Sequence, residues 1–104
     1  MQHALSQELL AFLDASPTCF HAVKNLADRL DEAGFTPLTE TEVWELSPGS
    51  SYYVERNGSA LIAFTIPTGG VHSWRVSASH SDSPCLKIKE NPELAAEGHY
   101  VRLN

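Results

Sequence analysis

The chain has 104 residues, of which 42% are hydrophobic and 19% charged, so its composition is that of a globular domain rather than a disordered or membrane segment. Asp and Glu outnumber Lys and Arg by 13 to 7, the formal net charge is -6, and the scattered cations argue against nucleic-acid binding. One small domain is the upper limit for this length, and a complete complex active site would use much of its core.

Cysteine use and hydropathy predict a cytoplasmic location. Cys19 and Cys85 have no CxxC spacing, so we expect free thiols in a reducing compartment rather than a zinc ribbon or a disulfide framework. No cationic segment followed by an apolar run opens the chain, and no apolar stretch approaches the roughly 20 residues that cross a bilayer. We therefore expect no membrane partner.

The apolar periodicity of the first third predicts two helices. In "ALSQELLAFLDA" the apolar residues recur at intervals of three and four: Leu5, Leu9, Phe12 and Leu13. A second helix is predicted in "TCFHAVKNLADRLDEAG", with Ser16 as its N-cap and Pro17 in its first turn. Its apolar stripe comprises Phe20, Val23, Leu26, Ala27, Leu30 and Ala33. Gly34 follows where a left-handed C-terminal residue is expected.

The periodicity changes after Phe35 and predicts strands. "SYYVER" and "SALIAFTI" flank Asn57 and Gly58, a pair typical of a β-hairpin with a type I′ turn. Further strands are predicted in "SWRVSAS", "CLKIKE" and "HYVRL", the last of which stops at Asn104. Two helices followed by a strand-rich half indicate the opening part of an α/β or α+β domain, and no repeat or linker marks a second one.

The segment "SASHSDSPCLKIK" has the chemistry of a metal-site corner. Continued alternation of the strand predicted before it places His80 at its C-terminal edge, with Asp82 on the same side and Pro84 favouring extended backbone. A neutral imidazole is a good zinc ligand, and a nearby carboxylate can orient a ligand ring. Zinc takes three or four protein ligands, so these residues alone do not make a site. By spacing, His80 is either a metal ligand or part of a solvated polar turn.

Other candidate residues have simpler structural explanations. His21 lies beside the apolar stripe of the second helix, so we expect a partly buried packing residue. Cys85 opens an apolar strand and is expected to be a buried structural thiol. A Ser-His-Asp triad drawn from residues 79–82 is discounted, because neighbours on one strand alternate faces and do not converge. Lys87 and Lys89 fit solvent-facing alternation with Leu86 and Ile88.

Four longer stretches, "FLDASPTCFHAV", "LDEAGFTPLTE", "WELSPGSSYYVERNGSALIAF" and "ASHSDSPCLKIK", cover roughly residues 8–103. Together, and in this order, they resemble the N-terminal region of the aspartyl aminopeptidase family, the M18 metallopeptidases. The resemblance implies that residues 1–104 are the N-terminal part of a single peptidase catalytic domain, incomplete by themselves. It also implies cytoplasmic aminopeptidases that release N-terminal Asp or Glu from peptides with a dinuclear, usually zinc, centre and that commonly assemble as dodecamers.

The resemblance assigns roles to individual residues. The family motif His-x-Asp-Ser-Pro is matched here by His80, Asp82, Ser83 and Pro84. By that match His80 ligates one metal, and Asp82 belongs to the catalytic site as the residue that orients the ligand. Ser81 stands where Thr is the more usual residue. The family's other ligands and its general-base glutamate come from later positions, so we expect this chain alone to be inactive.

Two alternatives remain open at this point. The chain is compatible with a stand-alone, non-enzymatic interaction module in which His80 is vestigial. The sequence also contains the residue types for a small hydrolase using Cys85 and His80, although nothing in the sequence around that thiol marks it as an activated nucleophile.

Overall fold

The computed structural model describes residues 2–96 and 98–103, in which two helices are followed by five short strands. The helices are α1 (Gln2–Asp14) and α2 (Cys19–Glu32). The strands are β1 (Thr36–Leu38), β2 (Ser51–Arg56), β3 (Ala60–Thr65), β4 (Glu93–Ala96) and β5 (Tyr100–Leu103). This order confirms the predicted α/β fragment, with both helices preceding the strands. Asn104, where the last predicted strand stops, lies outside the described residues.

The N-terminus of α2 differs from the prediction by two residues. Thr18 is the N-cap: its backbone is extended (φ -133°, ψ 164°) and its Oγ1 accepts the backbone N–H of His21 at 3.4 Å. Ser16 has another role, because its Oγ accepts a hydrogen bond from Asn25 Nδ2 at 3.0 Å and ties the loop between the helices to α2. The predicted cap at Ser16, with Pro17 inside the first turn, is therefore wrong.

The C-terminus of α2 forms the predicted glycine turn. Gly34 has a φ of +83°, a conformation that side chains rarely adopt. Its N–H donates to the Asp31 carbonyl at 3.0 Å, and the N–H of Phe35 donates to the Leu30 carbonyl at 2.9 Å. These two bonds satisfy helix carbonyls that would otherwise lack partners and direct the chain into β1.

Strands β1, β2 and β3 form one mixed sheet in that order, with β1 parallel and β3 antiparallel to β2. Asn57 and Gly58 have φ values of 53° and 64°, the signs that a type I′ turn requires. Ser59 is the third residue of the loop, and the pairing of β2 with β3 begins with Arg56 opposite Ala60. The predicted hairpin is confirmed, whereas β1 was not predicted because three residues containing Pro37 give too short a pattern.

The hydrophobic core consists of residues from α2 and from both faces of β2. Its buried residues are Ala22, Val23 and Ala27 from the helix and Tyr52, Tyr53 and Val54 from the strand. The Tyr53 hydroxyl donates to Asp31 Oδ1 at 2.9 Å, so this side chain faces α2. On the opposite face of β2, the Tyr52 ring lies 5.7 Å from that of Phe64, which is 6.3 Å from Trp44. The strand is thus covered on both faces.

The structure contradicts two of the predicted strands, "SWRVSAS" and "CLKIKE". Residues 71–89 carry no strand, and within 71–90 every residue except Ser81 is exposed. A strand forms only when a neighbour satisfies its backbone groups, and no described residue pairs with this segment. The alternation of apolar and polar residues indicates that the backbone favours an extended conformation, but it does not show whether a partner strand is present.

The last part of the chain forms a separate antiparallel pair of strands, β4 and β5. β5 confirms the strand predicted in "HYVRL", while β4, with the sequence "ELAA", has no β-branched residue and was missed. The radius of gyration is 20.1 Å, against about 13 Å for a compact chain of this length. Of the helices described here, neither combines the length and the hydropathy needed to cross a bilayer.

Candidate metal site

His80 and Asp82 lie in the middle of the unpaired segment, residues 71–89. The prediction that His80 occupies the C-terminal edge of a strand is therefore wrong for this structure. The two side chains nevertheless meet, as the spacing predicted: His80 Nδ1 lies 3.1 Å from Asp82 Oδ1 and 2.7 Å from the Asp82 backbone oxygen. The local arrangement forms without the strand.

These contacts determine which nitrogen of the His80 ring carries the proton. Both partners of Nδ1 are oxygen acceptors, so in the neutral ring Nδ1 is the protonated nitrogen and donates to Asp82. The lone pair of Nε2 is then available to a metal ion. A ligating histidine typically has this arrangement, with its second nitrogen donating to a carboxylate or a backbone carbonyl.

The two residues fit one corner of a zinc site and no more. Their side chains are 82% and 79% exposed, so neither pays a large desolvation cost here. Within residues 2–96 and 98–103 no group of three or more His, Cys, Asp and Glu side chains is placed to hold a metal ion. Since zinc takes three or four protein ligands, the remaining ligands have to come from elsewhere. The donor chemistry of His80 fits the metal, and the ligand set is incomplete.

The other sequence candidates lie apart from this corner. His21 is exposed rather than partly buried, and its Nδ1 lies 2.8 Å from Thr18 Oγ1 at the cap of α2. Cys85 is a free thiol and is exposed, not buried as predicted, because the strand it was expected to open does not form. Lys87 is exposed as predicted, but the apolar Leu86 beside it is exposed as well, so the predicted alternation of faces is absent.

One contact near the site was not predicted from the sequence. Ser81 Oγ donates a hydrogen bond of 2.8 Å to the backbone carbonyl of Ser59, in the β2–β3 turn. The acceptor is a main-chain atom 22 residues away, so no side-chain pattern identifies it. The only sequence signal was the presence of a hydroxyl residue between His80 and Asp82.

Comparison with known proteins identifies the family. A family model described as "Aminopeptidase I zinc metalloprotease (M18)" matches residues 12–104. This chain belongs to the M18 aminopeptidase family. The membership confirms the resemblance that the His-x-Asp-Ser-Pro stretch and its surroundings indicated, and it connects the chain with zinc at the level of the family description.

The similar M18 sequences are much longer than this chain. It is 47% identical over 105 residues to a probable M18 family aminopeptidase 2 of Pseudomonas fluorescens, covering 96% of this chain and 24% of the relative. With the protein of the same description from Clostridium novyi it is 42% identical over 101 residues, which cover 95% of this chain and 23% of that protein. The chain thus spans about a quarter of the length of these relatives.

Solved M18 structures share the fold. A cryo-EM structure of the Ape4 and Nbr1 complex matches 93% of this chain and 19% of its own chain, with a TM-score of 0.76 and 38% identity. The structure of Chaetomium thermophilum mApe1 matches 61% of this chain and 15% of its own, with a TM-score of 0.59 and 38% identity. A third match, at a TM-score of 0.52 and 35% identity, is the S. cerevesiae mApe1 dodecamer, covering 57% of this chain and 14% of its own.

Proposed function

We propose that residues 1–104 form the N-terminal part of the catalytic domain of a zinc-dependent aminopeptidase, in which His80 ligates one metal ion of a dinuclear centre. The observation that carries the proposal is the contact of His80 Nδ1 with Asp82 in a chain of the M18 family, because this contact leaves the Nε2 lone pair of the neutral ring for a metal ion. Residues outside this chain supply the other ligands and the general base. The chain alone is inactive.

Each of the two residues has a defined task in this proposal. His80 binds the metal through Nε2, and Asp82 keeps the proton on Nδ1 and fixes the orientation of the ring. A bound zinc centre supplies polarisation of the peptide carbonyl and an activated water at neutral pH. Asp82 acts through His80 and needs no contact with the peptide. Loss of a residue that orients a ligand typically costs 10- to 100-fold in metal affinity or activity.

The substrates in this proposal are peptides with Asp or Glu at the N-terminus. Support comes from the four stretches that resemble the aspartyl aminopeptidase family, including the segment around His80. The enzyme is cytoplasmic, in keeping with the free thiols of Cys19 and Cys85. It is a homo-oligomer, and the dodecameric state of the related S. cerevesiae mApe1 supports that part of the proposal.

The experiment measures chromophore release from aspartyl and glutamyl anilides, with a leucyl anilide as the specificity control. The 104-residue chain is compared with the longest product of its reading frame. We expect zinc-dependent release only from the longer product, with the acidic substrates preferred. Activity in the short chain would contradict the incomplete ligand set, and preference for the leucyl substrate would contradict the acidic specificity.

A matched pair of histidine variants tests the ligand. His80→Ala in the longer product should reduce activity by more than the roughly 100-fold upper range for an orienting residue, because the ligand itself is removed. His72→Ala is the control, since His72 is also an exposed histidine of the unpaired segment and its ring contacts only the nearby Gly69 carbonyl among the partners described, at 3.0 Å. Equal activity in the two variants would contradict the assignment of His80 as a metal ligand.

The second candidate is a non-enzymatic interaction module, and the exposed apolar residues of the unpaired segment favour it. Trp74 and Val76 are 80% and 84% exposed, respectively. Surfaces of this kind mark interaction sites in stable proteins and association in incomplete ones. Sedimentation of the 104-residue chain distinguishes them: a concentration-independent monomer with a sharp thermal transition supports the module, and concentration-dependent association supports the incomplete domain.

A further inference from the structure

We infer that Ser81 is a positioning residue for the metal ligand His80, holding it against the β2–β3 hairpin through the hydrogen bond from Ser81 Oγ to the Ser59 carbonyl. The inference rests on the proposed role of His80. It concerns a residue that contacts neither metal nor substrate and acts through the backbone of the segment that carries the ligand.

Ser81 is where the segment meets the packed half of the chain. Of the residues from 71 to 90 it alone is not exposed, and its hydroxyl lies 2.8 Å from the Ser59 oxygen. For the residues that the structure describes, no other hydrogen bond or ion pair is found between this segment and the hairpin residues 51–65. The contact is therefore the polar attachment that fixes the position of the segment along the hairpin.

The acceptor belongs to a hydrogen-bonded turn. Ser59 follows the two turn residues with positive φ, and its own N–H donates to the Arg56 carbonyl at 3.1 Å. It precedes Ala60, at which the pairing of β2 and β3 begins. Its carbonyl belongs to a turn whose geometry is set by the hairpin, so a hydrogen bond to it places Ser81 relative to the sheet.

Ser81 and its two neighbours face different surroundings. Ser81 contacts the hairpin, whereas His80 and Asp82 on either side contact each other and are largely exposed. A hydroxyl fixed to the hairpin on one side therefore determines the direction in which the imidazole is presented on the other. Such a role requires a hydroxyl at this position.

The experiment measures zinc binding by titration calorimetry on the metal-free form of the longest product of the reading frame. Ser81→Ala removes the donor and should weaken zinc binding on the order of tenfold, the lower part of the range for residues that orient a ligand. Ser81→Thr keeps the hydroxyl and should restore affinity to within about twofold of the original, as one hydrogen bond is retained. Ser77→Ala, which removes an exposed hydroxyl from the same segment, is the matched control and should change nothing.

Kinetics with the acidic anilide provide the second measurement. A displaced ligand affects the reacting centre more than peptide binding, so Ser81→Ala should lower kcat at saturating zinc and leave KM close to its original value. Failure of Ser81→Thr to restore zinc affinity, or equal affinities for Ser81→Ala and Ser77→Ala, would overturn the inference. His80→Ala separates the two proposals: if that variant binds zinc normally, the proposed function fails; if it loses zinc while Ser81→Ala does not, only the positioning role fails.

Discussion

Strand β2 and the predicted strand "SWRVSAS" each carry three apolar residues but differ in burial. In β2 the residues Tyr52, Tyr53 and Val54 are all buried, with α2 on one face and aromatic rings on the other. In the segment 71–89 Trp74 and Val76 are exposed and no strand forms. The difference teaches that β2 is stabilised by partners already present within residues 19–65, whereas the segment carrying His80 has no partner strand among the described residues.

Replacing one valine by alanine in each half should give the largest difference in the free energy of unfolding. Val23 is 1% exposed in the core and Val76 is 84% exposed. Val23→Ala should lower the free energy of unfolding by about 2 kcal/mol, because two buried methyl groups are lost and a cavity remains. Val76→Ala should change it by less than about 0.5 kcal/mol, as exposed positions usually do. Urea unfolding of the 104-residue chain, followed by circular dichroism, measures both.

Similar losses in the two valine variants would break this comparison, since they would show that the segment 71–89 is packed in solution. Val23→Ile provides a further check on the core. An added methylene at a fully buried site requires neighbours to move and costs about 1 to 3 kcal/mol. A neutral result at that position would mean that the contact between α2 and β2 is looser than the structure indicates.

A smaller loss of stability is expected when the hydrogen bond between Tyr53 of β2 and Asp31 of α2 is removed. Tyr53→Phe removes the hydroxyl that donates to Asp31 Oδ1 at 2.9 Å and should cost about 1 kcal/mol of unfolding free energy. Tyr100→Phe is the matched control, because Tyr100 is exposed in β5. If the two variants unfold at the same urea concentration, the hydrogen bond contributes nothing measurable.

The same tyrosine predicts a change in stability at alkaline pH. Burial of the ring, followed by the hydrogen bond to Asp31 and the charge of that carboxylate, raises the pKa of Tyr53 to about 12. An unfolded tyrosine has a pKa of about 10, so the contribution of Tyr53 to stability is fully present below pH 10 and is lost as the pH rises through 12. The stability of the original chain should therefore fall more steeply over this interval than that of Tyr53→Phe. Parallel curves would show that Tyr53 ionises normally.

The sequence predicted those elements whose information is local. The glycine turn at Gly34 and the hairpin at Asn57 and Gly58 depend on backbone conformations that few residue types adopt. The residue types at these positions therefore identify the turns. The predicted stripe of α2 is confirmed at Val23 and Ala27, which are buried, but it omitted the buried Ala22 and included Phe20 and Leu26, which are exposed. The cap position was wrong because Ser16 and Thr18 are both good caps and only the tertiary contact of Ser16 with Asn25 decides between them.

What the sequence could not predict depends on distant partners. The alternation around Trp74 and Leu86 describes strands that are stable only beside others, and the described residues provide none. For the site, a spacing of two residues predicted that His80 and Asp82 would meet, because their contact is local. The hydrogen bond of Ser81 to a turn carbonyl was invisible, because it joins two segments through a main-chain atom.

The smallest predicted effect is spectroscopic and uses one tryptophan from each half. Trp44 is 38% exposed, its Nε1 donates to the Thr39 carbonyl at 2.8 Å and its ring lies near Phe64. Trp74 is 80% exposed. In the 104-residue chain, iodide should quench the fluorescence of Trp44→Phe, which retains Trp74, more steeply than that of Trp74→Phe. Neither substitution is expected to abolish folding, because neither ring belongs to the buried core.

The same two variants in the longest product of the reading frame extend the test. If partner strands outside this chain cover the segment 71–89, quenching of Trp74 should fall there to the level of Trp44, while the quenching of Trp44 stays unchanged. Continued exposure of Trp74 in a product that hydrolyses acidic anilides would show that this face of the segment stays uncovered in the active enzyme. The hydrogen bond of Ser81 to the hairpin would then be a restraint on the ligand segment that packing around Trp74 does not replace.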